Sequence, residues 1–190
     1  MLVSTLSART RVVRLETERL VLREFVEDDW RALYAMESQP DVVRYQSNDV
    51  HDEQRSRTYV ADSIASARAE PRMIFELAIT TRGDEAYLGR VGVRRSESDP
   101  RLGELWFVVS PAEQGKGYVT EAARALIGHA FAEDGMHRIY GDCDPRNPAS
   151  ARVMEKLGMR REGHLVQNVW IKGEWCDSVL FAILASEWTR

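Results

Sequence analysis

Gln114-Gly115-Lys116-Gly117-Tyr118-Val119-Thr120-Glu121-Ala122 decides how this chain is read. The stretch lies between an apolar strand pattern and an amphipathic helix pattern. Its two glycines let the backbone curl tightly, and the helix that follows turns its first N–H groups toward the curl. Unpaired N–H donors and the positive end of a helix dipole make an anion site that needs no side chain. A phosphate group is the expected occupant. Lys116 either adds charge there or is a solvated turn lysine.

Upstream, residues 103–109 carry Leu105, Trp106, Phe107, Val108 and Val109 and read as a strand. Downstream, residues 120–134 form the strongest helix pattern, with Ala123, Leu126, Ile127, Ala130 and Phe131 on one face and Gly135 as its stop. Residues 73–80 and 86–94 read as an antiparallel hairpin about Thr81-Arg82-Gly83-Asp84. Residues 19–23 read as a first strand. Glu27-Asp28-Asp29 opens a helix through Trp30, Leu33, Tyr34 and Met36 that Pro40 ends or bends. Residues 41–57 are polar and carry no clear pattern, and 58–68 read as a second helix.

Beyond the best helix, 137–141 is a short strand, and Asn147-Pro148 is an N-cap followed by proline at the first helical position. Val153, Met154 and Leu157 continue that helix to Gly158. Two last strands, about 165–171 and 178–184, are joined by Lys172-Gly173-Glu174-Trp175. This order predicts a mixed α+β domain, not the regular alternation of a doubly wound sheet.

The 190 residues fit one domain over 15–190 behind a frayed N-terminal segment, 1–14. Arg9, Arg11 and Arg14 imitate a targeting peptide there, but the apolar stretch of a secretory signal is missing. A net charge of −4 does not suggest a nucleic-acid surface. No run approaches the roughly 18 apolar residues of a membrane span. Cys143 and Cys176 have neither metal-site nor disulfide spacing, so two free thiols in a reducing cytoplasm are expected, and no metal. Trp170 and Trp175 are expected to pack in the core or at a homodimer face, and Trp30 in the core.

Three phosphate-binding schemes compete for the loop. A P-loop needs glycine five positions before Gly115 and serine or threonine after Lys116; Ser110 and Gly117 stand there instead. A dinucleotide fold is suggested by Gly115-x-Gly117-x-x-Thr120 with Asp142 ending the next strand. Its third glycine is Thr120, however, and residues 110–114 intervene where that fold turns at once. A nicotinamide oxidoreductase is therefore the weaker rival, and it predicts NAD binding without coenzyme A.

The third scheme rests on a resemblance. Gln114-x-x-Gly117 resembles the pyrophosphate loop of the GNAT acyltransferase superfamily, Gln/Arg-x-x-Gly-x-Gly/Ala, with Val119 departing at the last position. Thr17-Glu18-Arg19-Leu20-x-Leu22-Arg23 and Gly117-Tyr118-x-Thr120-Glu121-Ala122 resemble the branch of ribosomal-protein alanine acetyltransferases, the RimJ/RimL type. So do Asn147-x-x-Ser150, Glu155-Lys156-Leu157-Gly158, Gly173-x-Trp175-x-Asp177 and Glu187-Trp188. The resemblance spans roughly 15–188.

It implies a GNAT fold: a mostly antiparallel sheet with a splayed central strand pair and flanking helices. It implies acetyl-CoA as acyl donor and a primary amine as acceptor, either a protein N-terminus or a small amine. The amides of Gln114, Gly115, Lys116, Gly117, Tyr118, Val119 and Thr120 would hold the pyrophosphate. Val108 and Val109 would pair with the pantetheine arm, as strand addition does, and Asn147 would contact that arm or serve only as N-cap. Glu104, at the start of the same strand, is the candidate base, against a surface glutamate. Many members carry a tyrosine seven residues after that asparagine as general acid; Met154 stands there and cannot donate, which leaves Ser150 as substitute. Trp30, Tyr34 and Tyr45 fall where the family builds its acceptor pocket. A non-catalytic acyl-CoA-binding or regulatory module on the same fold is the alternative that Met154 favours.

Overall fold

The computed structural model describes residues 12–189. Eight strands make one sheet: β1 (Arg14–Glu16), β2 (Leu20–Arg23), β3 (Ile74–Thr81), β4 (Tyr87–Arg95), β5 (Leu102–Val109), β6 (Arg138–Cys143), β7 (Arg160–Ile171) and β8 (Glu174–Leu184). Their order is β1-β2-β3-β4-β5-β6-β8-β7. Every neighbouring pair is antiparallel except β5 and β6. The helices are α1 (Trp30–Glu37), α2 (Pro40–Val43), α3 (Glu53–Ala67), α4 (Tyr118–Ala132) and α5 (Pro148–Lys156).

Two cores cover the two sheet faces. Ala123, Leu126, Ile127 and Ala130 repeat at helical spacing along α4 and pack on Leu77, Val91, Leu105 and Ile139. On the opposite face Phe25, Trp30, Leu33, Met36 and Val60 close over Ala78, with Val108 at the edge. Strand β5 feeds both: Leu105 and Phe107 face α4, and Val108 faces the second core.

Several boundaries differ from the sequence reading. Strand β1 starts at Arg14 and Val13 is buried, so ordered structure reaches into the segment expected to fray; residues 1–11 lie outside the described residues. Helix α3 begins at Glu53, five residues before the expected start. Asp52 caps it by accepting from the Arg55 amide at 2.7 Å. Pro40 opens α2 as its first helical residue. The last hairpin is longer, with a two-residue turn in which Lys172 and Gly173 both have positive φ (48° and 87°). Trp170 and Trp175 are not core residues: they stand 58% and 57% exposed at the hairpin tip and meet edge-to-face at 5.4 Å. Trp30, at 9% exposure, does pack in the core.

Candidate active site

The two parallel strands stay paired for three residues only, Leu102–Arg138, Gly103–Ile139 and Glu104–Tyr140. Beyond Glu104, β5 runs on to Val109 still paired with β4 but without β6. Gly141 sits where they part: a Cβ there would come within 3.1 Å of the Leu105 carbonyl oxygen. Residues 105–109 thus present one open backbone edge to a cavity of about 1030 Å³.

Glycine geometry builds the far wall. Gly115 (φ 77°) and Gly117 (φ 84°, ψ 3°) both adopt the left-handed conformation that lets the loop curl. Gly117 is the N-cap of α4, so no side chain caps that terminus. The first backbone bond of α4 runs from Glu121 N–H to the Gly117 carbonyl, at 3.0 Å. The N–H groups of Tyr118, Val119 and Thr120 therefore have no partner within the helix. Gln114, Gly115, Gly117, Tyr118, Val119 and Thr120 all line the cavity. Lys116 does not: its ammonium is 3.0 Å from Glu113, which itself lines the cavity.

Val108, Val109, Glu104, Asn147 and Ser150 line the same cavity. Asn147 caps α5, accepting from the Ser150 amide at 3.2 Å, and its Nδ2 donates to Ser150 Oγ at 3.0 Å. The hydroxyl oxygen is thereby used as acceptor and its proton is left to give. Glu104 is half-buried, opposite Arg94 on one side and Tyr140 on the other, with no hydrogen bond or ion pair among the described residues. Burial, then the Glu104 and Asp142 carboxylates, push the Tyr140 phenol upward. Met154 is buried and lines the cavity, its sulfur facing Gly141. Cys143 also lines it, but burial and the nearby Asp142 and Asp144 push its thiol up to about 11, so it stays protonated. Tyr45 lines the opening; Trp30 and Tyr34 do not.

Sequence reasoning missed the floor of the cavity. Glu76, 7% exposed, accepts from four donors: the Tyr59 hydroxyl, Ser63 Oγ at 2.9 Å, Arg90 Nη1 at 3.1 Å and Trp106 Nε1 at 3.0 Å. Arg90 also donates to Glu37 at 2.7 Å. Burial keeps the Tyr59 phenol protonated and so a donor. The Trp106 ring lies across Gly92, where a Cβ would fall 2.1 Å from it. The signal was available: charged residues within strands otherwise apolar, and a glycine beside a tryptophan's partner strand.

The sequence profile described as "Acetyltransferase (GNAT) domain" matches residues 19–160. The chain belongs to the GNAT acetyltransferase family. An uncharacterized N-acetyltransferase, YnaD of Bacillus subtilis (strain 168), is 33% identical over 176 residues, covering 93% of this chain and 99% of its own. The crystal structure of a GNAT-family acetyltransferase from Bacillus anthracis superposes with a TM-score of 0.83 at 31% identity, over 92% of this chain and 100% of that one. Spermidine N-acetyltransferase from Vibrio cholerae, solved with CoA and spermine, shares the fold at 20% identity and a TM-score of 0.77, over 90% and 98% of the two chains.

This GNAT domain is an acetyl-CoA-dependent N-acetyltransferase. Its residues fit that donor on their own geometry. An uncapped helix terminus with two left-handed glycines suits a pyrophosphate, and an open strand edge suits an extended amide-bearing arm. No group of three or more His, Cys, Asp or Glu suited to a metal occurs among the described residues, and none of their helices is long and apolar enough to cross a membrane.

Proposed function

We propose that the acceptor is a primary amine and that it attacks the acyl group directly within a ternary complex. The observation that carries this is the convergence on one cavity of a free carboxylate, Glu104, and a free hydroxyl proton, on Ser150. When bound, the donor supplies a thioester carbonyl. The amides of the Gln114-to-Thr120 loop hold its pyrophosphate, and the open edge at Val108 and Val109 aligns its arm. Glu104, directly or through one water, takes the proton that the amine gives up. An ordinary alkyl ammonium titrates near 10 and an α-amino group near 8, so a carboxylate has less to do for the second. Ser150 gives its proton to the departing sulfur, in place of the tyrosine that Met154 replaces, and regains one from solvent, while Glu104 releases the amine's proton to solvent. Cys143 takes no part as a nucleophile, which favours direct attack over an acyl-enzyme.

The chain's own motifs favour the RimJ/RimL-like branch, and with it a protein N-terminal amine as acceptor. The spermine held by the Vibrio cholerae protein favours a small amine instead. Two buried free thiols suit a cytoplasmic protein. A CoA-release assay over peptides with free N-termini, polyamines and amino acids decides between the acceptors. Turnover with none of them, despite CoA binding, would leave a non-catalytic acyl-CoA-binding module.

A further inference from the structure

The Thr17-Glu18-Arg19-Leu20 motif lies about a hundred residues from the glycine loop in sequence and against it in space. Arg19 makes five contacts there, among them an ion pair of its Nη2 with Glu121 Oε2 at 2.6 Å. Its Nη1 donates to the Lys116 carbonyl at 3.0 Å, and its Nε donates to Glu121 Oε2 at 2.7 Å. Its backbone N–H donates to Glu121 Oε1 at 3.0 Å, and its guanidinium stacks 4.6 Å from the Tyr118 ring centroid. Thr17 Oγ1 adds a bond to Glu121 Oε1 at 2.6 Å. Burial alone would raise the Glu121 carboxyl, but Thr17 and the Arg19 amide and guanidinium outweigh it and hold it ionised below its usual range.

The bond to the Lys116 carbonyl matters because a trans peptide is planar, with its C=O and N–H pointing in opposite directions. Whatever holds the Lys116 oxygen fixes the Gly117 N–H on the far side. Gly117 lines the cavity, whereas Lys116 and Arg19 do not, which favours the cavity as that far side. Gly117, at positive φ, has no Cβ to resist rotation about its N–Cα bond, so on that side nothing but a hydrogen bond fixes the orientation of this peptide. Glu121 in turn seats the guanidinium, from the first turn of the helix whose terminus forms the site.

We infer that Arg19, seated by Glu121 and Thr17, is a positioning residue that locks the Lys116–Gly117 peptide with its N–H turned to the donor's pyrophosphate. This rests on the reading that the loop holds that pyrophosphate. It gives both motifs one physical purpose: they are two halves of a latch.

The test uses the full chain with Arg19→Gln, Arg19→Lys and Glu121→Gln variants. Calorimetry with CoA alone is expected to show Kd raised about 10- to 100-fold in Arg19→Gln, the range for a lost bond to a charged group. Glu121→Gln, which keeps the arginine but loosens its seat, is expected to fall between that and the parent. Arg19→Lys is expected to recover only part, because an ammonium cannot bridge the carbonyl, the carboxylate and the ring together. KM for acetyl-CoA should rise in parallel while kcat and the acceptor KM stay within about twofold. Unchanged CoA affinity in folded Arg19→Gln and Glu121→Gln overturns the latch, whatever happens to Tm. Parent protein that binds no CoA overturns the reading of the loop itself, a separate outcome.

Discussion

Asn147 and Ser150 hold each other reciprocally: the asparagine oxygen takes the serine N–H at 3.2 Å, and its Nδ2 donates to the serine oxygen at 3.0 Å. One side chain serves the helix and the other is oriented by it. The two substitutions should therefore separate. Asn147→Ala removes the cap and is expected to destabilise the protein by about 1 kcal/mol in urea unfolding. Ser150→Ala should leave stability nearly unchanged and lower kcat roughly tenfold. That is less than the usual effect of a general acid, since a thiolate leaves readily. Equal kcat in Ser150→Ala and parent would remove serine from the reaction.

Glu104 lines the cavity and makes no hydrogen bond or ion pair among the described residues, so Glu104→Gln changes little in the fold. A loss of kcat of about 10²- to 10⁴-fold is expected, with CoA affinity unchanged by calorimetry. A rate within threefold of the parent would sink the assignment of the base.

The close approach of Gly92 to the Trp106 ring makes Gly92→Ala a test of the cavity floor. The added methyl must push the indole off and break its 3.0 Å bond to Glu76. A cost of about 1–3 kcal/mol is expected, together with a raised acceptor KM and an unchanged Kd for CoA.

Arg90 lies between two buried carboxylates, 2.7 Å from Glu37 and 3.1 Å from Glu76. Arg90→Met leaves both without their cation. Chemical denaturation should report a loss of about 3–5 kcal/mol.

The depressed Glu121 carboxyl sets a pH window. A carboxyl held below its unfolded value, near 4.3, stabilises the fold above that value. The stabilisation is lost as pH falls through the lower folded value. Parent and Glu121→Gln should thus differ in Tm at neutral pH and converge in acid. A constant gap from pH 7 to pH 3 would contradict this.

Much of the site could be read from the chain because it is local. Gln114 to Thr120 turn and cap within a few residues, and so do Asn147, Pro148 and Ser150. The hairpin of β3 and β4 followed from two strand-like runs about a glycine turn. What escaped was either weakly periodic or distant. Helix α3 has a polar first turn, so its start showed only in the cap at Asp52. Strand β1 is three residues long and takes its identity from pairing with β2. The contact of Arg19 with Glu121, and the gathering of Tyr59, Glu76, Arg90 and Trp106, join segments whose proximity only the sheet order creates.

The three-residue pairing of β5 with β6 has a consequence for the protein's life between turnovers. The sheet is unfinished at its middle, and under the proposed mode of binding the donor's arm supplies the missing strand. A ligand that binds only the native state raises its stability in proportion to the logarithm of its concentration above Kd. The chain is therefore at its most fragile when its donor runs short. In a cell, its abundance would follow the supply of coenzyme A, acetylated or free, even where no regulator acts on it.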